Sequence, residues 1–196
     1  DEEVDGLVDI TAEEFDRADE KLDMPLVRVG GICGETRQAA NEASLLADLG
    51  YHAGLLNLGA MRGNSEDELI RHCKAVGDVL QLFGFYPPAT VGALGGIYLP
   101  YSFWRRFAEL DRLVAIKIAA FDRYKTLDVI RAVAESGRED VALYTGNDDN
   151  ILLDLVTPHR FQVGDKLVVR RFVGGLLGHW AVWTRGAVEL LKRCQA

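Results

Sequence analysis

Short apolar runs alternate with amphipathic stretches along most of this chain. Leu26–Val29, Ala53–Leu58, Leu80–Tyr86, Leu113–Ala119, Val141–Thr145 and Phe172–Leu177 read as strands. Their starts fall near 26, 53, 80, 113, 141 and 172, separated by 27 to 33 residues. Each run is mostly apolar, as expected of parallel strands covered on both faces. The stretches between them carry the helical period. A helix runs from about Arg37 to Leu49, with Gly50 at its C′ position. Ser65-Glu66-Asp67-Glu68 is a capping box opening a helix with Leu69, Ile70, Cys73 and Val76 on one face. Further helices are expected near Ser102–Leu110 and Leu127–Ser136, after Thr145, and up to about Cys194. At the start, Thr11-Ala12-Glu13-Glu14 is a capping-box pattern that predicts a short helix to about Leu22, ended by Pro25. Residues 157–171 follow neither period and read as a small insertion.

Strands alternating with helices imply right-handed βαβ units and a parallel sheet, so the fold class is α/β. Two architectures fit six such units. One is a (β/α)₈ TIM-barrel-like sheet with about six units present. The other is an open doubly wound parallel sheet. The domain reading is an acidic helical segment over 1–24 and a single βα-repeat domain over 25–196.

Charge sharpens this division. Of a net −8, residues 1–24 hold −9, and the remainder of the 196-residue chain is near neutral at +1. A neutral body lacks the dense positive surface that phosphate backbones require, so nucleic acid is not an expected partner. No apolar run approaches the roughly 20 residues of a membrane helix. Cys33, Cys73 and Cys194 are widely spaced, form no C-x-x-C pair and suggest neither zinc nor a disulfide framework. Free thiols and the absence of a secretory leader point to the cytoplasm.

One residue breaks the apolar pattern in an informative way. Lys117 lies inside Leu113-Val114-Ala115-Ile116-Lys117-Ile118-Ala119. Strand alternation puts Val114, Ile116 and Ile118 on one face, and Ala115, Lys117 and Ala119 on the other. A lysine flanked by alanines has room for its long side chain, and such a run rarely holds an unpaired charge without reason. Desolvation favours the neutral amine, which can attack a carbonyl and form an imine. The same lysine could instead snorkel to solvent. Tyr86 shares a face with Gly84 and is a candidate proton relay, or else an aromatic cap on the core. The turn Tyr144-Thr145-Gly146-Asn147-Asp148 and the segment Gly174-Gly175-Leu176-Leu177-Gly178-His179 follow the fifth and sixth strands, at the end where α/β folds bind ligands. No cofactor and no metal is expected.

With these residues placed, the chain resembles the dihydrodipicolinate synthase and N-acetylneuraminate lyase family, from about Pro25 to His179. Val114-Ala115-Ile116-Lys117 resembles the strand with the family's Schiff-base lysine, and Phe85-Tyr86-Pro87-Pro88 its tyrosine–x–x–proline region. Tyr144–Asp148 resembles its serine–glycine–aspartate turn, and Glu68–Ala75 the helix after the fourth barrel strand. Gly31-Ile32-Cys33-Gly34-Glu35-Thr36 stands where the third barrel strand meets its helix. The chain departs from the family in three ways. The first two barrel strands and their paired-threonine loop have no counterpart. Leu58-Gly59-Ala60-Met61-Arg62 stands where the family often has a tyrosine pair, and Pro88–Gly92 lacks the synthases' arginine.

The resemblance implies a class I aldolase or lyase, a homo-oligomer, that takes a 2-oxo acid such as pyruvate. It implies Lys117 and Tyr86 as catalytic residues, and Gly34, Thr36, Thr145, Asn147, Gly175, Leu176 and His179 around the substrate. Two alternatives stand beside it. One is a barrel relative without catalysis. The other is a nucleotide-binding open sheet using the Val29–Gly34 turn, although that turn does not match G-x-G-x-x-G.

Overall fold

The computed structural model describes residues 2–88 and 96–196, except the side chains of residues 2–5, Leu7 and His179. Six parallel strands form one sheet: β1 (Val29–Ile32), β2 (Ala53–Leu56), β3 (Gln81–Tyr86), β4 (Leu113–Ile118), β5 (Ala142–Thr145) and, last in the chain, β8 (Phe172–Gly175). The sheet order is β1-β2-β3-β4-β5-β8, with every pairing parallel. A doubly wound sheet reverses its order at a switch point; this one never does. Helices α2 (Thr36–Asp48), α3 (Glu66–Gly77), α4 (Tyr101–Phe107) and α5 (Arg123–Ser136) each touch the next in turn.

The two faces of the sheet differ in what covers them. The main core joins Ile32, Leu56, Leu82, Ile116, Ile118 and Leu143 of the strands to buried residues of the helices, including Leu46, Val76, Phe107 and Ile130. The opposite face carries a second cluster of Ala53, Phe83 and Ala115 with Val29, Leu55, Tyr144 and Leu176, and no helix contributes to it. One-sided helical cover with sequential strand order is barrel geometry, and the open doubly wound alternative does not hold.

Several local expectations appear directly. The Ser65 capping box is complete: Glu68 N donates to Ser65 Oγ at 3.4 Å and Ser65 N to Glu68 Oε2 at 2.7 Å. Gly50 has φ +75° at the end of α2. Other expectations need correction. The first helix, α1 (Glu2–Asp19), begins well before Thr11, its Val8, Ala12 and Phe15 packing on the core. Arg28 holds its C-terminal end through Asp19 at 2.5 Å and Asp16 at 2.8 Å. Between α6 (Ile151–Val156) and β8, the irregular stretch is an antiparallel hairpin of β6 (His159–Val163) and β7 (Lys166–Arg170). The short α7 (Gly178–Val182) and α8 (Thr184–Gln195) close the chain. Of residues 88–92, only Pro88 lies within the described part. No helix among the described residues is long and apolar enough to cross a membrane.

Candidate functional site

Lys117 lies on the helix-free face of β4, in register with Phe85 of β3 and Tyr144 of β5. It is half-buried, and its Nζ stands 4.6 Å from the centroid of the Phe85 ring. Among the described residues no carboxylate pairs with it. Burial pushes its pKa below the ordinary 10.5, and the charge of Asp148 opposes that shift. A β-bulge between β3 and β4 pairs Leu82 with Leu113 and Phe83 with Ala115, skipping Val114. Val114 therefore packs toward the helix-free cluster, against the simple alternation. Ala115 lies on that face as expected and lets Phe83 and the Tyr144 ring approach to 5.2 Å beneath the lysine.

Gly146 closes the lysine from the next strand. A methyl group added there would lie 2.9 Å from Lys117 Cε, 2.9 Å from Ala119 Cβ and 3.3 Å from the Leu176 carbonyl oxygen. The turn is pinned by backbone bonds: Gly146 N to Ile118 O at 2.7 Å and Leu176 N to Thr145 O at 2.9 Å. Lys117 and Leu176 are thus brought together. A cleft of about 1040 Å³ opens beside β1; Gly31, Leu55 and Phe85 line it from the helix-free face, and Val8 of α1 with Arg37, Asn41, Glu42 and Leu45 of α2 line it from the helix side. The Phe85 ring that lines this cleft is the ring over which the lysine amine lies.

The other expected site residues lie elsewhere. Tyr86 is in register with Ile118, on the helix side of the sheet. Only 2% exposed, it packs at 4.9 Å against Trp104 and donates to Leu99 O at 3.4 Å. Burial pushes its pKa up to about 12. The space beside it, left by Gly84, is filled by Phe107, whose Cε1 would be 2.6 Å from an added methyl group. Tyr86 and Lys117 thus point to opposite faces and cannot meet. Thr145 and Asn147 are also turned to the helix side. Thr145 Oγ1 donates to Asp154 at 2.7 Å, and Asn147 Nδ2 donates to Asp154 at 3.0 Å and to Thr126 at 3.2 Å. Arg123 pairs with the fully buried Asp154. This network fixes the turn from behind; it leaves neither side chain free for substrate. Gly175 admits the Trp180 indole, whose Nε1 would be 2.4 Å from an added methyl group. Gly34, at φ +88°, turns the chain after β1, and Thr36 Oγ1 is 2.9 Å from His72 Nδ1 on the helix side. His179 lies in α7, its side chain outside the description. Phe85, Tyr144 and Gly146 surround the amine instead. The signal for them was strand register, which a single sequence does not carry.

The class defined is an α/β protein with a barrel-type sheet and a half-buried lysine on its helix-free face. Among solved structures, the chain is similar in fold to several dihydrodipicolinate synthases. The enzyme from Acinetobacter baumannii, chloride-inhibited and complexed with pyruvate, is similar with a TM-score of 0.71 and 21% identity, over 97% of this chain and 58% of that one. The enzyme from Bacteroides thetaiotaomicron gives 0.71 and 17%, over 97% and 57%. That from Thermotoga maritima gives 0.65 and 18%, over 99% and 62%. The chain thus spans less than two thirds of each of these structures, and at such identities the likeness is one of fold. No protein-family model and no curated protein matches the sequence.

Proposed function

We propose that this chain is a divergent relative of the dihydrodipicolinate synthases and a Schiff-base-forming lyase or aldolase acting on a 2-oxo acid through Lys117. One observation carries the reading: an amine with no paired carboxylate among the described residues, pushed toward neutrality by burial, stands on the helix-free face beside Gly146. A neutral amine in that position attacks a ketone carbon, and the resulting iminium stabilises an adjacent carbanion. The fold shared with a synthase complexed with pyruvate supports pyruvate as the probe. The absence of Tyr86 from the lysine's face favours the second reading, a barrel without catalysis. Borohydride reduction of the full chain in the presence of pyruvate, with peptide mass spectrometry, decides between them. A reduced pyruvyl adduct on Lys117, absent from Lys117→Ala, is expected; an unmodified Lys117 refutes the enzymatic reading. Self-association belongs to the same proposal, since β1 and β8 end the sheet without a strand partner among the described residues; light scattering measures it.

A further inference from the structure

Imine formation needs proton transfers that Lys117 cannot complete alone, and the phenol first expected to supply them is on the wrong face. We infer that Tyr144 is the proton-transferring residue at this site; the inference rests on the Schiff-base reading above. Tyr144 is the register partner of Lys117 on β5. Registered residues of neighbouring strands share a face, with backbones about 4.8 Å apart. On the other flank the register partner is Phe85, whose ring has no proton to give. Gly174 of β8 makes room for the Tyr144 ring, where an added methyl group would lie 3.0 Å from Cε1. Tyr144 is half-buried in the cluster beneath the lysine, yet among the described residues nothing hydrogen-bonds its hydroxyl. A half-buried hydroxyl with no protein partner is open to water or substrate. The Tyr86 hydroxyl, by contrast, is engaged by Leu99 O. Asp148 is the titratable group whose charge acts on the amine.

The steps balance with these groups. The neutral Lys117 amine bonds to the ketone carbon, and the carbonyl π pair moves to oxygen, which takes the Tyr144 proton. The cationic nitrogen returns a proton to the phenolate, leaving a neutral carbinolamine. A second protonation of its hydroxyl by Tyr144 lets the C–O bond break. Water departs, the nitrogen lone pair forms the iminium, and a phenolate remains. That phenolate takes a proton from the carbon next to the iminium, giving the enamine and restoring the phenol.

The test compares wild type, Tyr144→Phe, Tyr86→Phe and Asp148→Asn as full chains, with pyruvate as probe. The readouts are the rate of borohydride trapping and deuterium exchange into the pyruvate methyl group followed by NMR. Loss of a general acid–base group should slow Tyr144→Phe by roughly 10²-fold or more in both. Tyr86→Phe should match wild type. Exchange is a readout that a merely structural ring would not move, because phenylalanine keeps the packing; circular dichroism checks that it does. Wild-type rates in Tyr144→Phe overturn the inference alone. A loss seen in Asp148→Asn and not in Tyr144→Phe transfers the role to Asp148 and overturns it too. A wild type that neither traps nor exchanges overturns the Schiff-base reading, and this inference with it.

Discussion

Replacing Gly146 by alanine tests how tightly the amine is held. The added methyl group meets Lys117 Cε and Ala119 Cβ at 2.9 Å each, and the Leu176 carbonyl oxygen at 3.3 Å. Carbon atoms pack at about 3.5–4.0 Å, so each carbon contact needs more than half an ångström of relief. The lysine tail can swing away. Ala119 and Leu176 cannot, since Ala119 N is bonded to Tyr86 O and Leu176 N to Thr145 O, both at 2.9 Å. Overpacking of this kind costs about 1–3 kcal/mol. For a chain of this size that lowers Tm by roughly 2–12 °C, at 2–4 °C per kcal/mol. The amine, pushed off its position above Phe85, should also trap pyruvate more slowly, since displacement by about 1 Å can cost 10²-fold. Scanning calorimetry and the trapping assay measure the two effects on one sample. Gly186→Ala, in α8 and away from the site, is the control: nothing lies within 4 Å of the methyl group it adds. If Gly146→Ala traps pyruvate as fast as Gly186→Ala and is no less stable, the turn does not bear on the lysine as described.

Asp154→Ala leaves Arg123, Thr145 and Asn147 without their buried acceptor; a loss of about 3–5 kcal/mol is expected in urea unfolding, and a change under about 1 kcal/mol would deny the network its role. Tyr86→Phe gives up only a 3.4 Å bond to Leu99 O, so stability should fall by no more than about 1 kcal/mol by the same measurement. His72 and His159 are held below the ordinary 6.5 by burial. The unfolded chain therefore binds protons that the folded one refuses, and stability is lost as pH falls through the window below 6.5. Tm should drop between about pH 7.5 and pH 5, and a flat profile there counts against buried neutral imidazoles.

How far the sequence reached depended on the kind of information each feature needed. The Ser65–Glu68 box and the Gly50 cap are local chemistry and were legible as such. So were five of the six strands, because each is a mostly apolar run; the first lies at Val29–Ile32, three residues beyond the expected Leu26–Val29, because Gly30 and Gly31 belong to the strand and not to the turn after it. The hairpin of β6 and β7 was not, since its outer face is Arg160, Gln162, Leu167 and Val169, a mixture without a clean period. At the site, alternation correctly grouped Lys117 with Ala115 and Tyr86 with Gly84. It could not say that these pairs face opposite sides of the sheet. That follows from the register of β3 on β4, which sets Phe85 beside Lys117 and Tyr86 beside Ile118. A glycine beside a tyrosine signals space, but the sequence does not say whose; here it is Phe107's. Thr145 and Asn147 look like ligand groups until Asp154 and Arg123 are folded against them.

The one-sided cover of the sheet explains why the amine is only half-buried. The face that bears the helices is filled by large side chains of strands and helices. The other face must fill itself from the strands alone. It does so in layers: Phe83 and Ala115 in register below, then Phe85, Lys117 and Tyr144 across three strands, then Gly146 toward the open end. The lower layer is apolar and removes water from beneath the lysine, which lowers its pKa. At the end of the strands the side chains next to the lysine are small, Gly146 and Ala119. Had Lys117 been one residue earlier or later, alternation would have placed it among Phe107 and the α4 aromatics, where a charge has no counter-ion and a substrate no entry.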